Sequence, residues 1–114
     1  MAIKHIETID DLDSVIEESN NRPVMLFKHS TRCPISTFAQ NEYIKFVDSN
    51  DDDTVLYTHL DLIQFRPVSS AIAEKTGVVH QSPQAILLVN AKAVWSETHS
   101  QINEDSLSKA IAEI

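Results

Sequence analysis

The fold is decided by residues 23–36, PVMLFKHSTRCPIS. Residues 23–28 form a nearly continuous apolar run, which is typical of a strand covered on both faces. The polar segment 29–32 predicts a loop, and Pro34 predicts the first turn of a helix, because its fixed φ and missing N–H are tolerated there. A strand, a loop and a helix therefore follow one another, with Cys33 at the N-terminus of the helix.

The segments on either side alternate between strand and helix patterns. Thr8 predicts a helix N-cap after a first strand, Gly77 predicts the end of a later helix, and Asn103 predicts the cap of the last one. The predicted strands are 3–6, 23–28, 54–62, 85–89 and 93–98, the last two forming a hairpin. The helical apolar stripes predicted to face the core include Ile9, Leu12, Val15 and Ile16, then Ile35, Phe38, Ala39, Tyr43, Phe46 and Val47, and finally Leu107, Ala110, Ile111 and Ile114.

The predicted order, β-α-β-α-β-α-β-β-α, describes an α/β domain with a central mixed sheet of four to five strands flanked by helices. This order is that of the thioredoxin fold. The chain has 114 residues, enough for one hydrophobic core, so we expect a single thioredoxin-like domain over residues 1–114.

Composition excludes several classes of function. The chain has 9 Lys plus Arg against 17 Asp plus Glu, a net charge of −8, which disfavours nucleic acids and anionic membranes as partners. The single glycine, Gly77, excludes glycine-rich phosphate loops. Its one cysteine cannot form an intramolecular disulfide, and no export signal or membrane span is evident, so we expect a cytoplasmic protein. The acidic run at residues 51–53 is interpreted as a solvated loop.

The predicted position of Cys33 has a chemical consequence. The first-turn N–H groups of a helix lack intrahelical partners and the dipole is positive there, so a thiolate at that end is stabilised and more reactive. Arg32 could add positive charge beside the thiolate, and Lys28 is a more distant candidate. Arg32 could equally be an ordinary exposed charge, and a lone cysteine is in general often a buried apolar residue.

Ser36 stands where a dithiol oxidoreductase would have its second cysteine, three residues after Cys33. Chemistry that needs an internal disulfide is therefore excluded, and a monothiol mechanism with an outside resolving thiol remains. The Ser36 hydroxyl could donate a hydrogen bond to the thiolate, or Ser36 could be a solvated first-turn residue. The Ser82-Pro83 step lies before a buried strand, where thioredoxin-fold proteins carry a cis proline, although a trans proline at the strand entry stays open on the residues alone. In the cis form, the backbone of Ser82 would be available to a substrate near Cys33.

Five histidines are scattered along the chain without metal-ligand spacing, so no metal site is predicted. His29 and His80 are the two that could approach Cys33. His29 begins the predicted loop that carries Cys33, and His80 lies in the loop before Pro83. The sequence favours plain surface histidines at both positions over pH-sensitive neighbours of the thiol.

The stretch at residues 27–36, FKHSTRCPIS, resembles the active-site motif of the monothiol bacilliredoxins, the YtxJ (BrxC) family of thioredoxin-fold proteins. That motif is K-x-S-x-x-C-P-I-S, followed by a helix with an acidic position, here Glu42. The Ser82-Pro83-Gln84 step also fits, and the similarity covers nearly the whole chain. Arg32 stands where small or polar residues are also found in the family, so the resemblance leaves its role open.

The resemblance implies thiol–disulfide exchange with bacillithiol, which forms mixed disulfides with protein cysteines under oxidative stress. Cys33 would take bacillithiol from a bacillithiolated client protein and hold it as a mixed disulfide. A second bacillithiol, or a downstream reductase, would then regenerate Cys33. No bound cofactor is implied, because bacillithiol acts as a thiol co-substrate.

Two other functions stay open on the residues alone. An iron–sulfur carrier like the monothiol glutaredoxins would use Cys33 and an external thiol as cluster ligands, but Pro34 replaces the glycine of their C-G-F-S motif. A redox-silent thioredoxin-like module would bind a peptide in the groove beside Pro83, with Cys33 as a spectator.

Overall fold

The computed structural model describes residues 3–50 and 54–114, and its elements follow the predicted order. The acidic run at 51–53 lies outside the described residues. The strands are β1 (Ile3–His5), β2 (Val24–His29), β3 (Leu56–Asp61), β4 (Gln84–Val89) and β5 (Lys92–Thr98). The helices are α1 (Ile9–Glu18), α2 (Pro34–Ser49), α3 (Arg66–Thr76) and α4 (Glu104–Ala112), with a 3₁₀ turn at His99–Gln101. None of the helices in the described part of the chain is long and apolar enough to cross a membrane.

The described strands form one mixed sheet in the order β1-β3-β2-β4-β5. Strands β1, β3 and β2 are parallel, whereas β4 runs antiparallel to β2 and pairs with β5 as a hairpin. The sheet therefore agrees with the predicted mixed α/β architecture. Its central strand, β2, leads directly into the loop that carries Cys33.

Local signals in the sequence determine where the helices begin and end. The Thr8 side chain accepts a hydrogen bond from the backbone N–H of Asp11 at 3.0 Å, and Asn103 forms a reciprocal capping box with Ser106. Gly77 ends α3 with a φ of 73°, a left-handed conformation that glycine adopts without steric cost. These three predicted caps are confirmed.

Two layers of helices cover the sheet, and successive residues of β2 alternate between them. Met25 and Phe27 pack in a core cluster with α2 and α4, whereas Val24 and Leu26 pack in a second cluster with α1 and α3. All four side chains are at most 1% exposed. Strand β2 is thus covered on both faces, as its apolar run predicted.

Four side chains assigned to core stripes are exposed instead. Between 39% and 54% of each residue is accessible to solvent, and the four are Ile9, Ile35, Phe38 and Ile114. Ile35 and Phe38 belong to the first turns of α2, and only the later residues of the stripe, from Ala39 onward, are buried against the sheet. A helical period counts positions on one face, but it does not show where the covering layer ends.

Candidate active site

Cys33 is the N-cap residue of α2, with Pro34 following in the first turn, as predicted. Its backbone is extended and its N–H donates to the carbonyl of Ser30 at 3.3 Å, which closes the loop after β2. The residue is partly exposed and its thiol is free. Cys33 thus lies, partly exposed, at the positive end of the α2 helix dipole.

Ser36 is wholly buried beneath this loop, so the solvated first-turn alternative is wrong. Its Oγ accepts a hydrogen bond from the Ser30 N–H at 2.9 Å and lies 2.8 Å from Nδ1 of His29. No hydrogen bond in the described part of the chain joins it to Cys33. Ser36 instead ties the first turn of α2 to the end of β2, and so fixes the loop that presents Cys33.

His29 is a buried residue of β2, only 6% exposed, so its interpretation as a surface histidine is wrong. Burial lowers the pKa of His29, against a smaller upward effect of Asp61 on that pKa. The ring of His59 lies 5.6 Å away, and burial, together with His29 and His5, lowers the pKa of His59 to about 4. The imidazoles of His29 and His59 are therefore uncharged at neutral pH, and that of His29 is the one in contact with Ser36.

The Ser82-Pro83 peptide bond is cis, as predicted. Lys28 of β2 pairs with Gln84 of β4, so Pro83 lies beside the end of β2, at the sheet edge where the Cys33 loop begins. Pro83 is buried, and the hydroxyl of Ser82 is buried without a hydrogen-bond partner among the described residues. The hydroxyl is closed off from solvent, so a bound group would reach this step through the backbone.

Lys28 is also wholly buried, and its Nζ lies 2.8 Å from Nδ1 of His80. It continues the face of β2 that packs against α1 and α3, whereas His29 and Ser36 belong to the α2 side. Lys28 is thus directed at the loop before Pro83 and is engaged there, which replaces its suggested role as a distant charge for Cys33. Burial lowers the pKa of Lys28 to about 8.

The exposed surface around the thiol is apolar on one side. Ile35 and Phe38 lie three residues apart on α2, directly after Cys33 and Pro34, and are 47% and 54% exposed. Arg32, directly before Cys33 in the chain, is exposed and forms no ion pair with any described residue. In the same described residues, no three His, Cys, Asp or Glu side chains are grouped so that they could hold a metal ion.

The site thus combines a single free cysteine at a helix N-terminus with a cis proline at the same end of the sheet. The family model for the monothiol bacilliredoxin BrxC matches residues 4–107. The chain belongs to this family. The resemblance noted at residues 27–36 therefore extends over almost the whole bacilliredoxin chain, and the family assignment places it among the thioredoxin-fold oxidoreductases.

Solved structures confirm the fold of this bacilliredoxin. A structure described as "A putative oxidoreductase with a thioredoxin fold" is 39% identical, covers 96% of this chain and 93% of its own, and superposes with a TM-score of 0.86. Thioredoxin from Fasciola hepatica is 16% identical with a TM-score of 0.79, covering 97% and 98% of the two chains. Thioredoxin from Malassezia sympodialis is 18% identical with a TM-score of 0.78, covering 98% and 90%. The last two show the fold alone.

Two features of the bacilliredoxin site were missed from the sequence. The pairing of Lys28 with His80 joins residues 52 positions apart and depends on the register of β2 and β4. The bond between His29 and Ser36 spans only seven residues, and the alternation of β2 could have indicated it, because His29 follows Met25 and Phe27 on one face. Glu42 lies away from the thiol and accepts a hydrogen bond from the N–H of Glu104 at 3.3 Å, where α2 meets α4.

Proposed function

We propose that this protein is a monothiol oxidoreductase that removes bacillithiol from bacillithiolated client proteins through Cys33. The observation that carries the proposal is the position of a partly exposed cysteine at the N-cap of α2, with a buried serine where a resolving cysteine would lie. Membership of the monothiol bacilliredoxin family supports bacillithiol as the thiol that is exchanged.

The reaction consists of two disulfide exchanges. In the first, the Cys33 thiolate attacks the bacillithiol sulfur of the client's mixed disulfide, the old S–S bond breaks, and the client leaves as a thiolate that water protonates. In the second, the thiolate of another bacillithiol attacks the bacillithiol sulfur held on Cys33. This step releases Cys33 and oxidised bacillithiol, so the two electrons that reduce the client come from bacillithiol. A downstream reductase would supply the same two electrons in place of the second bacillithiol.

Named residues around Cys33 would support these steps. Pro34 starts the helix whose dipole favours the thiolate, and Ser36 holds the loop in place through His29 and Ser30. The exposed side chains of Ile35 and Phe38 offer an apolar surface to a client beside the reacting sulfur.

Further contacts would come from the surroundings of the thiol. The Ser82 backbone before Pro83 would bind an extended segment of the client or of the thiol, and Arg32 would supply a positive charge beside the anionic leaving group. We place the protein in the cytoplasm, where thiols stay reduced, with bacillithiolated proteins and bacillithiol as partners and with neither nucleic acid nor membrane.

The proposal is tested with a client peptide that carries bacillithiol on its only cysteine. The wild-type protein with reduced bacillithiol should release the peptide thiol, and Cys33→Ser should abolish the release because no other residue of the chain carries a thiol. Ser100→Ala, at an exposed position far along the sequence, is the matched control and should behave as wild type.

Two results would contradict the proposal in different ways. Release by Cys33→Ser at the wild-type rate would exclude the monothiol mechanism. Equal rates with a glutathionylated peptide would leave the mechanism in place but exclude a preference for bacillithiol.

A further inference from the structure

A small cavity with a basic lining lies at the end of the sheet where β2 leads into the loop that carries Cys33. Its volume is about 210 Å³, and it is lined by Leu62, Arg66, Ser69, Ser70 and His80. Strand β3 ends just before Leu62, α3 supplies the arginine and the two serines, and the loop before Pro83 supplies the histidine. Two cationic or N–H-bearing groups and two hydroxyls therefore meet in one concave site.

The cavity lies at the end of the sheet where β2 leads into the loop that carries Cys33. The N–H of Leu62, in its wall, donates to the carbonyl of His29 at 3.0 Å, and His29 is the last residue of β2 before the Cys33 loop. His80, on the other wall, is three residues from cis-Pro83. The cavity and Cys33 therefore lie at the same end of the sheet, the cavity on the α3 side and Cys33 at the start of α2.

Lys28 determines what His80 presents to the cavity. An ammonium group can only donate, so in the 2.8 Å contact Nδ1 of His80 accepts and the imidazole proton lies on Nε2. His80 thereby offers an N–H donor backed by a buried positive charge. Arg66 is exposed nearby, and neither cation forms an ion pair with a carboxylate of the described residues, although the whole chain carries a net charge of −8.

The loop that carries His80 is held in place by the sheet. Gln84, 1% exposed and paired with Lys28 across β2 and β4, donates from Nε2 to the carbonyl of Val79 at 3.1 Å. Its Oε1 also lies 3.5 Å from the backbone nitrogen of Gln81. Both neighbours of His80 are therefore bound by one buried side chain, so the donor is positioned before any ligand arrives.

We propose that this cavity, the Arg66–His80 pocket, binds a carboxylate of the small anionic thiol that exchanges at Cys33. A carboxylate accepts charge-assisted hydrogen bonds from an arginine, from an imidazole N–H and from serine hydroxyls, which is the donor set present. The inference rests on the exchange reaction proposed above, to which it adds the residues that would hold the anionic end of the co-substrate. In this role Lys28 is a positioning residue, because it acts on the ligand only through His80.

The electrostatic state of His80 supports this assignment. Burial, then Lys28 and then Arg66 lower the pKa of His80, so the imidazole is neutral at pH 7 and keeps the tautomer described. A bound carboxylate would oppose the effect of the two cations. Binding should therefore raise the pKa of His80, which NMR measures directly.

Direct binding is tested with a dicarboxylate that carries no thiol. Malate titrated into the reduced wild-type protein should shift the His80 ring resonances to saturation and raise the His80 pKa, whereas the neutral diamide of malate should do neither. Arg66→Gln should weaken malate binding about tenfold. Lys75→Gln removes the same charge from the far end of α3, where Lys75 pairs with Asp13 at 3.1 Å, and should leave the affinity unchanged.

Several results of the titration would overturn the pocket. These are the absence of saturable shifts, equal weakening by Arg66→Gln and Lys75→Gln, or tighter binding of inorganic phosphate than of malate. The titration is independent of exchange activity, so it tests the pocket even if Cys33 proves inert.

Exchange kinetics then separate this inference from the proposed function. The disulfide of mercaptosuccinate carries carboxylates, whereas 2-hydroxyethyl disulfide is uncharged. Arg66→Gln should lower kcat/KM about tenfold for the first disulfide and leave the second unchanged. Equal effects on both disulfides would overturn the pocket while keeping the exchange mechanism, and no reaction of either disulfide with the wild-type protein would overturn the mechanism instead.

Discussion

Lys28 and His29 are neighbours at the end of one strand, and both are buried, yet they serve opposite sides of the sheet. Lys28 is 0% exposed and His29 is 6% exposed. The first contacts His80 from the loop before cis-Pro83, and the second contacts Ser36 beneath the loop of Cys33. One strand end thus contributes a polar side chain to each face, because successive residues of a strand alternate in direction.

The difference between the two faces lies in charge. On the α2 side, burial keeps the imidazole of His29 neutral, and its hydrogen bond positions the helix that carries the nucleophile. On the α3 side, Lys28 and Arg66 leave a basic pocket without carboxylate partners among the described residues. We therefore expect positioning of the thiol and the proposed recognition of an anionic ligand to be separate, so that each can be removed without the other.

Lys28→Met should give the largest effect on stability, and its sign depends on pH. A folded-state pKa of about 8, below the ordinary 10.5, means that the unfolded chain binds more protons between these values, so wild-type stability rises as the pH rises from 8 to 10.5. The gain, relative to the variant, should approach roughly 3 kcal/mol. Below pH 8 the buried charge is fully present, and Lys28→Met should be the more stable protein.

The measurement for Lys28 is urea unfolding of both proteins at several pH values. Lys45→Met is the matched control, because the Lys45 side chain is 67% exposed on α2 and should show no such pH-dependent difference. Parallel stability curves for wild type and Lys28→Met from pH 7 to 10 would mean that Lys28 is not a buried charge. The comparison between the two faces would then fail.

Ser36→Ala should destabilise the protein by roughly 2 kcal/mol, because it leaves the Ser30 N–H and Nδ1 of His29 buried without their partner. The rate at which iodoacetamide alkylates Cys33 should change as the loop loosens, whereas malate binding should stay at the wild-type level. Ser14→Ala, at an exposed helical position, is the control for the loss of a hydroxyl. Unchanged stability in Ser36→Ala would show that the α2 face does not depend on this serine.

Ser82→Ala should give the smallest effect on folding. Its hydroxyl is buried without a partner in the described part of the chain, so the free energy of unfolding should change by less than about 1 kcal/mol or should increase. The variant keeps the Ser82 backbone that is proposed to contact the substrate, so kcat/KM should stay within about twofold of the wild-type value. A clear loss of stability would instead make the hydroxyl a structural group, and a clear loss of kcat/KM would give it a role in substrate binding.

Much of the fold follows from local signals in the sequence. The caps at Thr8 and Asn103, the left-handed Gly77 and the proline after Cys33 each determine a boundary through interactions within a few residues. The order of elements then leaves few possible architectures. The cis isomer of the Ser82-Pro83 bond was favoured because thioredoxin-fold proteins carry a cis proline at this place, whereas the residues alone left the trans isomer open.

The sequence could not predict contacts that depend on register. In the sequence, Lys28 is only the polar residue that ends an apolar run. The pairing of Lys28 with Gln84 in the sheet is what brings the loop of His80 next to it. Ile35 and Phe38 have the period of a core stripe, yet they lie where no element covers α2. Such features depend on where distant segments end, which local patterns do not contain.

The most direct test of the account is the intact mass of the protein after incubation with oxidised bacillithiol, with oxidised glutathione in parallel. We predict one bacillithiol adduct per chain, located on Cys33, removed by added reduced thiol and formed faster than the glutathione adduct. Cys33→Ser should form neither adduct. A wild-type protein that stays unmodified with both disulfides would contradict the assignment of Cys33 as an exchanging thiol and, with it, the proposed function.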